Sequence, residues 1–259
     1  MSTHVTTELI KELRDSTSIS VMQCKNALIE ADGDIKKAIA ILKKTSSDIA
    51  LKKADRNAKD GAVIIKSTNN KIVMISLRCE TDFVSKNEDF ASLLSKLSSI
   101  ALTDGIDQMK KVAKEMIDPV IQKTGENIQL DEAFQIEGNI LGSYVHNNKS
   151  AVVVSLDGGN NELAKDIAMH ITAMKPEYLS SEDITEDIKK TMFEIFQKEI
   201  EGINKPAEIK KKMLDGKIGT YFKEKTLLDQ PFIKNSEETI GQLLEKSNAK
   251  IKEIKRYSI

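Results

Sequence analysis

The sequence contains few of the residue types that form disulfides, bind metals or build large aromatic cores. Its 259 residues include no tryptophan, two cysteines, three histidines and four prolines, and only 4% are aromatic. Cys24 and Cys79 have no C-x-x-C spacing, so they indicate neither a zinc site nor a disulfide framework, and we expect both to be buried as small apolar side chains. His4, His146 and His170 are too scattered for a metal cluster. The composition therefore predicts a fold without metal, cofactor or disulfide.

Long apolar runs and an excess of charge are also missing. No run approaches the roughly 20 apolar residues of a membrane-spanning helix, and residues 1–5 do not start a secretory leader with its basic and apolar regions. We therefore expect a cytoplasmic protein without a membrane partner. Lys and Arg number 39 against 40 Asp and Glu, a net charge of −1, so no direct nucleic-acid partner is expected.

The sequence also lacks the short motifs of common enzyme classes. It has no G-x-x-x-x-G-K-[ST] phosphate loop, no G-x-G-x-x-G, no H-E-x-x-H and no G-x-S-x-G. A nucleophilic pair of Cys79 and His170 has no support beyond the occurrence of both residue types. The ordinary interpretation of His170 is a core histidine, and that of His146 is a solvated turn residue. We expect a protein that is not an enzyme.

Residues 1–45 are predicted to form a compact bundle of three short helices. Ser20 and Gln23 fit a capping box before the second helix, Gly33 fits the left-handed conformation that ends it, and Asp34 fits the cap of the third. A core this small is marginal alone, and such modules usually present a face to another protein. The alternative is a decorative subdomain.

The remainder predicts an α+β fold with two related strand–strand–helix subdomains. A charged segment over 46–60 is expected to be an exposed connector, followed by a core N-subdomain over 61–135 and a core C-subdomain over 136–259. In each, two apolar runs flank an Asn-Asn turn and precede an apolar helical stripe: 62–66, 71–77 and 88–102 in the first, and 138–145, 151–156 and 163–174 in the second. Duplication explains this pattern, although two hairpins can also resemble each other by chance.

Two further helical elements are predicted. A helix over 108–125 contains Pro119, which should kink or break it. A helical hairpin over about 181–225 starts at a capping box of Ser180 and Asp183, and Ile209, Met213 and Tyr221 of its second helix should face its first. Beyond it we expect a strand over 230–233, a helix over 239–248 and an edge strand over 250–254.

One segment has no obvious structural explanation. Thr81-Asp82-Phe83-Val84 places a carboxylate and an aromatic ring at a polar junction between a strand and a helix. The commoner interpretation is that Phe83 fills the end of its own core, because buried aromatic residues outnumber exposed functional ones. The other is that the ring and carboxylate reach into a partner.

Short strings along nearly the whole chain resemble the elongation factor Ts family, the nucleotide exchange factors of bacterial elongation factor Tu. The strings, in the family's order, are Lys11-Glu12-Leu13-Arg14, Cys24-Lys25-Asn26-Ala27-Leu28, Gly33-Asp34-Ile35, Thr81-Asp82-Phe83-Val84, Gly125-Glu126-Asn127-Ile128, Gly142-Ser143-Tyr144 with His146, Ile167-Ala168-Met169-His170, Lys175-Pro176-Glu177, Gln230-Pro231-Phe232 and Gly241-Gln242-Leu243-Leu244. The resemblance implies an N-terminal domain similar to ubiquitin-associated (UBA) domains, a core of two related subdomains and a protruding antiparallel coiled coil.

The resemblance also implies a partner and a mechanism. Elongation factor Tu would be bound in its nucleotide-free and GDP-bound states, with Phe83 wedged between partner side chains near the magnesium and phosphate site and Asp82 accepting hydrogen bonds there. The implied contact residues are Thr81, Asp82, Phe83, Val84, Leu13, Arg14, Ile19, Val21, Met22, Tyr144 and His146, with Ser18 beside Ile19.

Two other classes of function remain open at this point. A UBA-like adaptor or chaperone would use the apolar face of the first module and would not need Phe83. A nucleic-acid-binding protein would use the lysines of 52–59 and 205–217, but near-neutral charge and interleaved acidic residues argue against it.

Overall fold

The structure is a computed structural model that describes residues 5–17 and 19–259. It mixes helices and strands, which is compatible with the predicted α+β class. The described chain forms two compact units. The first contains the described part of Met1–Ile136 together with Val145–Ala151 and Tyr257–Ile259, and the second contains Glu137–Tyr144 and Val152–Arg256.

The first unit begins with three helices, α1 (Thr7–Thr17), α2 (Val21–Glu30) and α3 (Ile35–Lys53). Their shared core contains Leu13, Ile19, Cys24, Ala27, Leu28, Ala31, Ala38 and Leu42. The predicted caps are present: Ser20 Oγ accepts from the Gln23 N–H, Asp34 accepts from Lys37, and Gly33 has φ 79°. The Gln23 side chain differs from a full capping box, because its Oε1 accepts from Ser20 Oγ instead of from the backbone.

The expected exposed connector over 46–60 is partly wrong, because α3 continues to Lys53 and packs on α6 (Ile106–Thr124). Ser46 and Ala50 are buried, one and two helical turns after Leu42. Ser46 Oγ bonds the Gln122 side chain, and Ser47 Oγ donates to Asp118 at 2.6 Å. A stripe of small residues on α3 therefore faces α6. Because lysines surround these residues in the sequence, the stripe was not recognised as a buried face.

A three-stranded sheet of order β1-β2-β3 forms the rest of the first unit. Its strands are β1 (Asp60–Ser67), β2 (Lys71–Cys79) and β3 (Gln129–Glu137), and its further helices are α4 (Asp82–Ser85), α5 (Glu88–Asp104) and the α6 already described. The predicted hairpin and helix are confirmed: β1 and β2 are antiparallel with Ala62 opposite Leu77, and α5 buries Phe90 and Leu97 against the sheet. β3 was not predicted.

Pro119 does not break α6. The helix continues for five residues beyond it and ends at Gly125, whose φ of 77° is the left-handed conformation typical of a helix C-cap.

The second sheet has the order β4-β5-β8, with β4 (Ile140–His146), β5 (Ser150–Asp157) and β8 (Lys250–Ser258). Asn147 and Asn148 both have positive φ, 50° and 55°, as a tight hairpin turn requires. Helix α7 (Asn161–Met174) follows β5, so a hairpin followed by a helix occurs twice in the chain at the predicted residues. β8 lies at the sheet's edge, as predicted.

Helix α7 packs very closely on β4 within the second unit. A Cβ added at Gly142 would lie 2.1 Å from the Lys165 backbone nitrogen and 2.2 Å from the Ala164 carbonyl carbon, so only glycine fits there. His170 of α7 is fully buried, as predicted, with Nε2 at 2.9 Å from Gln230 Oε1 and Nδ1 accepting from the Ile233 N–H.

The helical hairpin consists of α8 (Glu186–Glu201) and α9 (Ala207–Lys225), which bury Phe196, Ile200 and Leu214 between them. Two expectations about it are wrong. Ser180 and Asp183 cap a short 3₁₀ turn, whereas Thr185 caps α8. Ile209 is exposed, and Leu214 takes the inward position instead.

The remaining elements are β6 (Pro231–Phe232), β7 (Asn235–Thr239) and α10 (Ile240–Lys246), capped by Thr239 and Gln242. Within residues 5–17 and 19–259, no helix combines the length and apolarity that crossing a bilayer requires.

Candidate functional site

Phe83 lies on the surface of the first unit. Its side chain is 83% exposed, more than any other large apolar residue in the described chain. The interpretation that Phe83 fills its own core is therefore wrong. Exposing a benzyl group to water in the free protein is unfavourable relative to burying it, so a role in folding does not explain this residue.

The ring is carried by α4, a single helical turn between β2 and α5. Thr81 caps the turn, because its Oγ1 accepts from the Val84 N–H at 3.4 Å. Val84 packs against the core of the first unit and Ser85 is buried. One side of the turn is thus anchored, and Asp82 and Phe83 project from the other.

Asp82 is paired but accessible. Its Oδ2 lies 2.7 Å from Lys86 Nζ, one helical turn later, and both side chains are largely exposed. The Asp82 carboxylate raises the pKa of Lys86. Solvent screening leaves an exposed pair of this kind with little net stabilisation, so a partner can take over the carboxylate at little cost.

Glu126 holds the start of the turn. Its Oε2 accepts from the backbone N–H groups of Glu80 and Thr81, both at 3.0 Å, and its Oε1 accepts from Thr81 Oγ1 at 2.6 Å. In return, Glu80 Oε1 accepts from the Asn127 N–H at 2.7 Å. Two neighbouring chain segments are thereby joined by reciprocal charge-assisted hydrogen bonds.

Lys149 holds the end of the turn. Its Nζ donates to Asp60 Oδ1 at 2.5 Å, to the Gly61 carbonyl at 2.6 Å and to Ser85 Oγ at 3.2 Å. Burial alone would raise the pKa of Asp60, but the hydrogen bonds from Lys149, Ser85 and the Gly61 N–H outweigh it and lower that pKa. The Asp60 carboxylate is therefore charged at neutral pH.

Cys79 lies beneath this site as an inert thiol. Burial, assisted by the charges of Asp60 and Glu126, raises its pKa to about 12, so it is not a nucleophile at neutral pH. Both cysteines are buried, as predicted. Among residues 5–17 and 19–259, no group of His, Cys, Asp and Glu side chains is arranged to hold a metal ion.

The residues expected at the N-terminal contact fall into two groups. Arg14, Val21 and Met22 are exposed, and Met22 is 66% accessible. Leu13 and Ile19, in contrast, are buried in the core of the three-helix module. Their side chains are not available to a partner, which corrects the expectation that they are contact residues. Ser18 and His4 lie outside the described residues.

The second hairpin contributes two expected residues. His146 is exposed at the end of β4, where Asn147 Nδ2 lies 3.3 Å from its Nε2. Tyr144 is half-buried and packs against the core of the second unit. Lys149, three residues after His146, is the residue of this turn that reaches the end of α4.

Sequence reasoning missed Glu126, Asp60 and Lys149. All three residues contact residues that are distant in the sequence, so the local sequence pattern does not reveal their role. Only Glu126 is marked in another way, because it follows a helix-ending glycine and lies in one of the strings that carry the family resemblance.

Comparison with known proteins identifies the family. The family model described as Elongation factor TS matches residues 80–259. A protein named elongation factor Ts from Hahella chejuensis is 38% identical, with 98% of this chain and 92% of that relative covered. Proteins with the same name from Alcanivorax borkumensis (37% identical, 97% and 93% covered) and Cellvibrio japonicus (38%, 98% and 90%) are similar over the same extent. The chain belongs to the elongation factor Ts family.

Proposed function

We propose that this protein is a guanine nucleotide exchange factor that binds elongation factor Tu and promotes GDP release during translation elongation. Family membership supports this function, and the observation that carries it is the exposed ring of Phe83 beside an accessible carboxylate. Because translation elongation takes place in the cytoplasm, the protein would work there. It would be no enzyme in the chemical sense, because exchange makes and breaks no covalent bond in the nucleotide.

The proposed mechanism is insertion of α4 into the partner. Phe83 enters between partner side chains near the magnesium and phosphate site, and Asp82 leaves Lys86 to accept hydrogen bonds from partner groups. Thr81, which caps α4, and Val84, which packs on the core, hold the turn in position against the first unit. Arg14, Val21 and Met22 of the UBA-like module, together with Tyr144 and His146, form further contacts with the same partner.

The energy for release comes from differential binding. A nucleotide bound at nanomolar affinity is held by about 12 kcal/mol, so rapid release requires a second ligand that binds the nucleotide-free state more tightly than the loaded one. The coupling is reciprocal: if this protein weakens nucleotide binding by some factor, the nucleotide weakens binding of this protein by the same factor. Incoming GTP therefore displaces the exchange factor.

Stopped-flow fluorescence tests the proposal. Elongation factor Tu loaded with fluorescent GDP is mixed with excess unlabelled GDP and increasing concentrations of this protein. We expect the release rate to rise with concentration and to saturate, and unlabelled nucleotide to lower the affinity between the two proteins. No acceleration at any concentration would refute the function. If binding without acceleration is found, the adaptor alternative is favoured.

A further inference from the structure

A one-turn helix cannot hold itself in place. Helix α4 contains four residues, far fewer than the roughly 12 that an isolated helix needs. The Phe83 ring itself is 83% accessible. Besides the packing of Val84 and the burial of Ser85, the orientation of α4 therefore depends on the contacts at the two ends of the turn.

The contacts at the first end converge on one carboxylate. Both oxygens of Glu126 are used, on two backbone N–H groups and one hydroxyl within the two residues that precede α4. Thr81 is the cap of α4 and also the hydroxyl donor to Glu126. Fixing Thr81 therefore fixes the direction in which the turn leaves β2.

Glu126 is itself held firmly. It follows the left-handed Gly125 that ends α6 and precedes Asn127, which is 2% exposed. Asn127 Nδ2 donates to the carbonyls of Ala54 and Arg56, at 3.2 and 2.7 Å, beyond the end of α3. Glu126 thus lies in the short segment between α6 and β3, and the bonds of its neighbour Asn127 tie this segment to Glu80 and to the chain beyond α3.

We propose that Glu126 is a positioning residue for nucleotide exchange: it presents Phe83 and Asp82 in the orientation that the partner accepts, without touching the partner itself. The inference rests on the proposed function. Preorganisation increases affinity by removing the cost of ordering side chains on binding. Releasing one or two side chains predicts a loss of roughly tenfold in stimulated GDP release.

Ring mobility in the free protein is the first test. Because the chain lacks tryptophan, Phe83→Trp introduces a single fluorophore at the site. In that background we expect Glu126→Ala to lower the fluorescence anisotropy through faster nanosecond motion, and Glu115→Ala, which removes an exposed carboxylate from α6, to leave it unchanged. Equal anisotropy in all three proteins would overturn the proposal.

A double-mutant cycle on GDP release is the second test. Glu126→Ala alone should slow stimulated release about tenfold, but in a background that carries both Asp82→Ala and Phe83→Ala it should change the remaining rate less than twofold, because both groups that it positions are gone. Additive effects would show that Glu126 acts independently of these two side chains and would overturn the proposal. If Glu126→Ala fails to fold, Glu126→Gln replaces it in both tests: it keeps an oxygen acceptor for the backbone N–H groups but loses the charge, and we expect it to lower both the anisotropy and the release rate by less than Glu126→Ala would.

The two proposals fail differently. If the parent protein does not accelerate GDP release, the proposed function is wrong, and if Phe83→Ala leaves the accelerated release unaffected, the insertion mechanism is wrong. In both cases the anisotropy of the free protein still decides whether Glu126 orders the turn. If Phe83→Ala slows release while Glu126→Ala does not, the positioning role alone is wrong.

Discussion

Replacing Phe83 by alanine should abolish most exchange activity while leaving the fold intact. A phenylalanine side chain can bury about 200 Å², and 83% of this one is exposed in the free protein, so about 170 Å² is available to a partner. At about 25 cal/mol per Å² this corresponds to about 4 kcal/mol. Aromatic anchors in interfaces typically contribute about 2–4 kcal/mol, which predicts a loss of about 30- to 800-fold in stimulated GDP release.

The assay is the stopped-flow release described above, with a size series as its internal check. Phe83→Leu should lose less activity than Phe83→Ala, because leucine fills part of the same space. Leu51→Ala removes another exposed apolar side chain from the first unit and should change the rate less than twofold. Urea denaturation should place Phe83→Ala within about 0.5 kcal/mol of the parent protein. Full activity of Phe83→Ala would refute the reasoning.

The second unit gives two predictions about stability. Gly142→Ala forces a methyl group into the backbone of α7 and should destabilise the protein by about 2–3 kcal/mol in urea denaturation. As the control, Gly219→Ala in α9, where the added Cβ meets open space, should stabilise the protein by about 0.5–1 kcal/mol. An equal effect of both would contradict the close packing of β4 on α7. Burial lowers the pKa of His170 despite the hydrogen bond with Gln230, so the unfolded chain binds the proton first. Stability should therefore fall as the pH drops below about 6.5, by at most about 1.4 kcal/mol per pH unit, and His170→Gln should remove this component; an unchanged pH profile would show that His170 does not cause it.

The sequence predicted the elements whose pattern is local. The β1–β2 hairpin, α5 and α7 were found because apolar residues alternate or recur every three to four positions and turn residues separate them. β3 was missed because most of its residues are only partly buried, so no clear alternation marks it. The second half of α3 was mistaken for a connector because its inward stripe consists of Ser46 and Ala50, which do not stand out among lysines.

The part of the site that shows in the local sequence was predictable, and the part that depends on distant residues was not. The polar setting of Phe83 distinguished it from core aromatic residues, and the structure places it on the surface. The contact role of Leu13 and Ile19 came from the resemblance, and local sequence cannot tell an apolar contact residue from an apolar core residue in a module this small. Glu126 depends on three hydrogen bonds to residues about 45 positions away, which no local pattern reports.

A photocrosslink from position 83 shows directly whether the Phe83 ring enters elongation factor Tu. A benzophenone analogue of phenylalanine placed there keeps an aromatic ring on the exposed side of α4, and the same probe at Leu51 serves as the control. We predict a covalent adduct between position 83 and the nucleotide-binding domain of elongation factor Tu, with a yield that falls as GDP or GTP is added. No adduct, or a yield indifferent to nucleotide, would contradict the account.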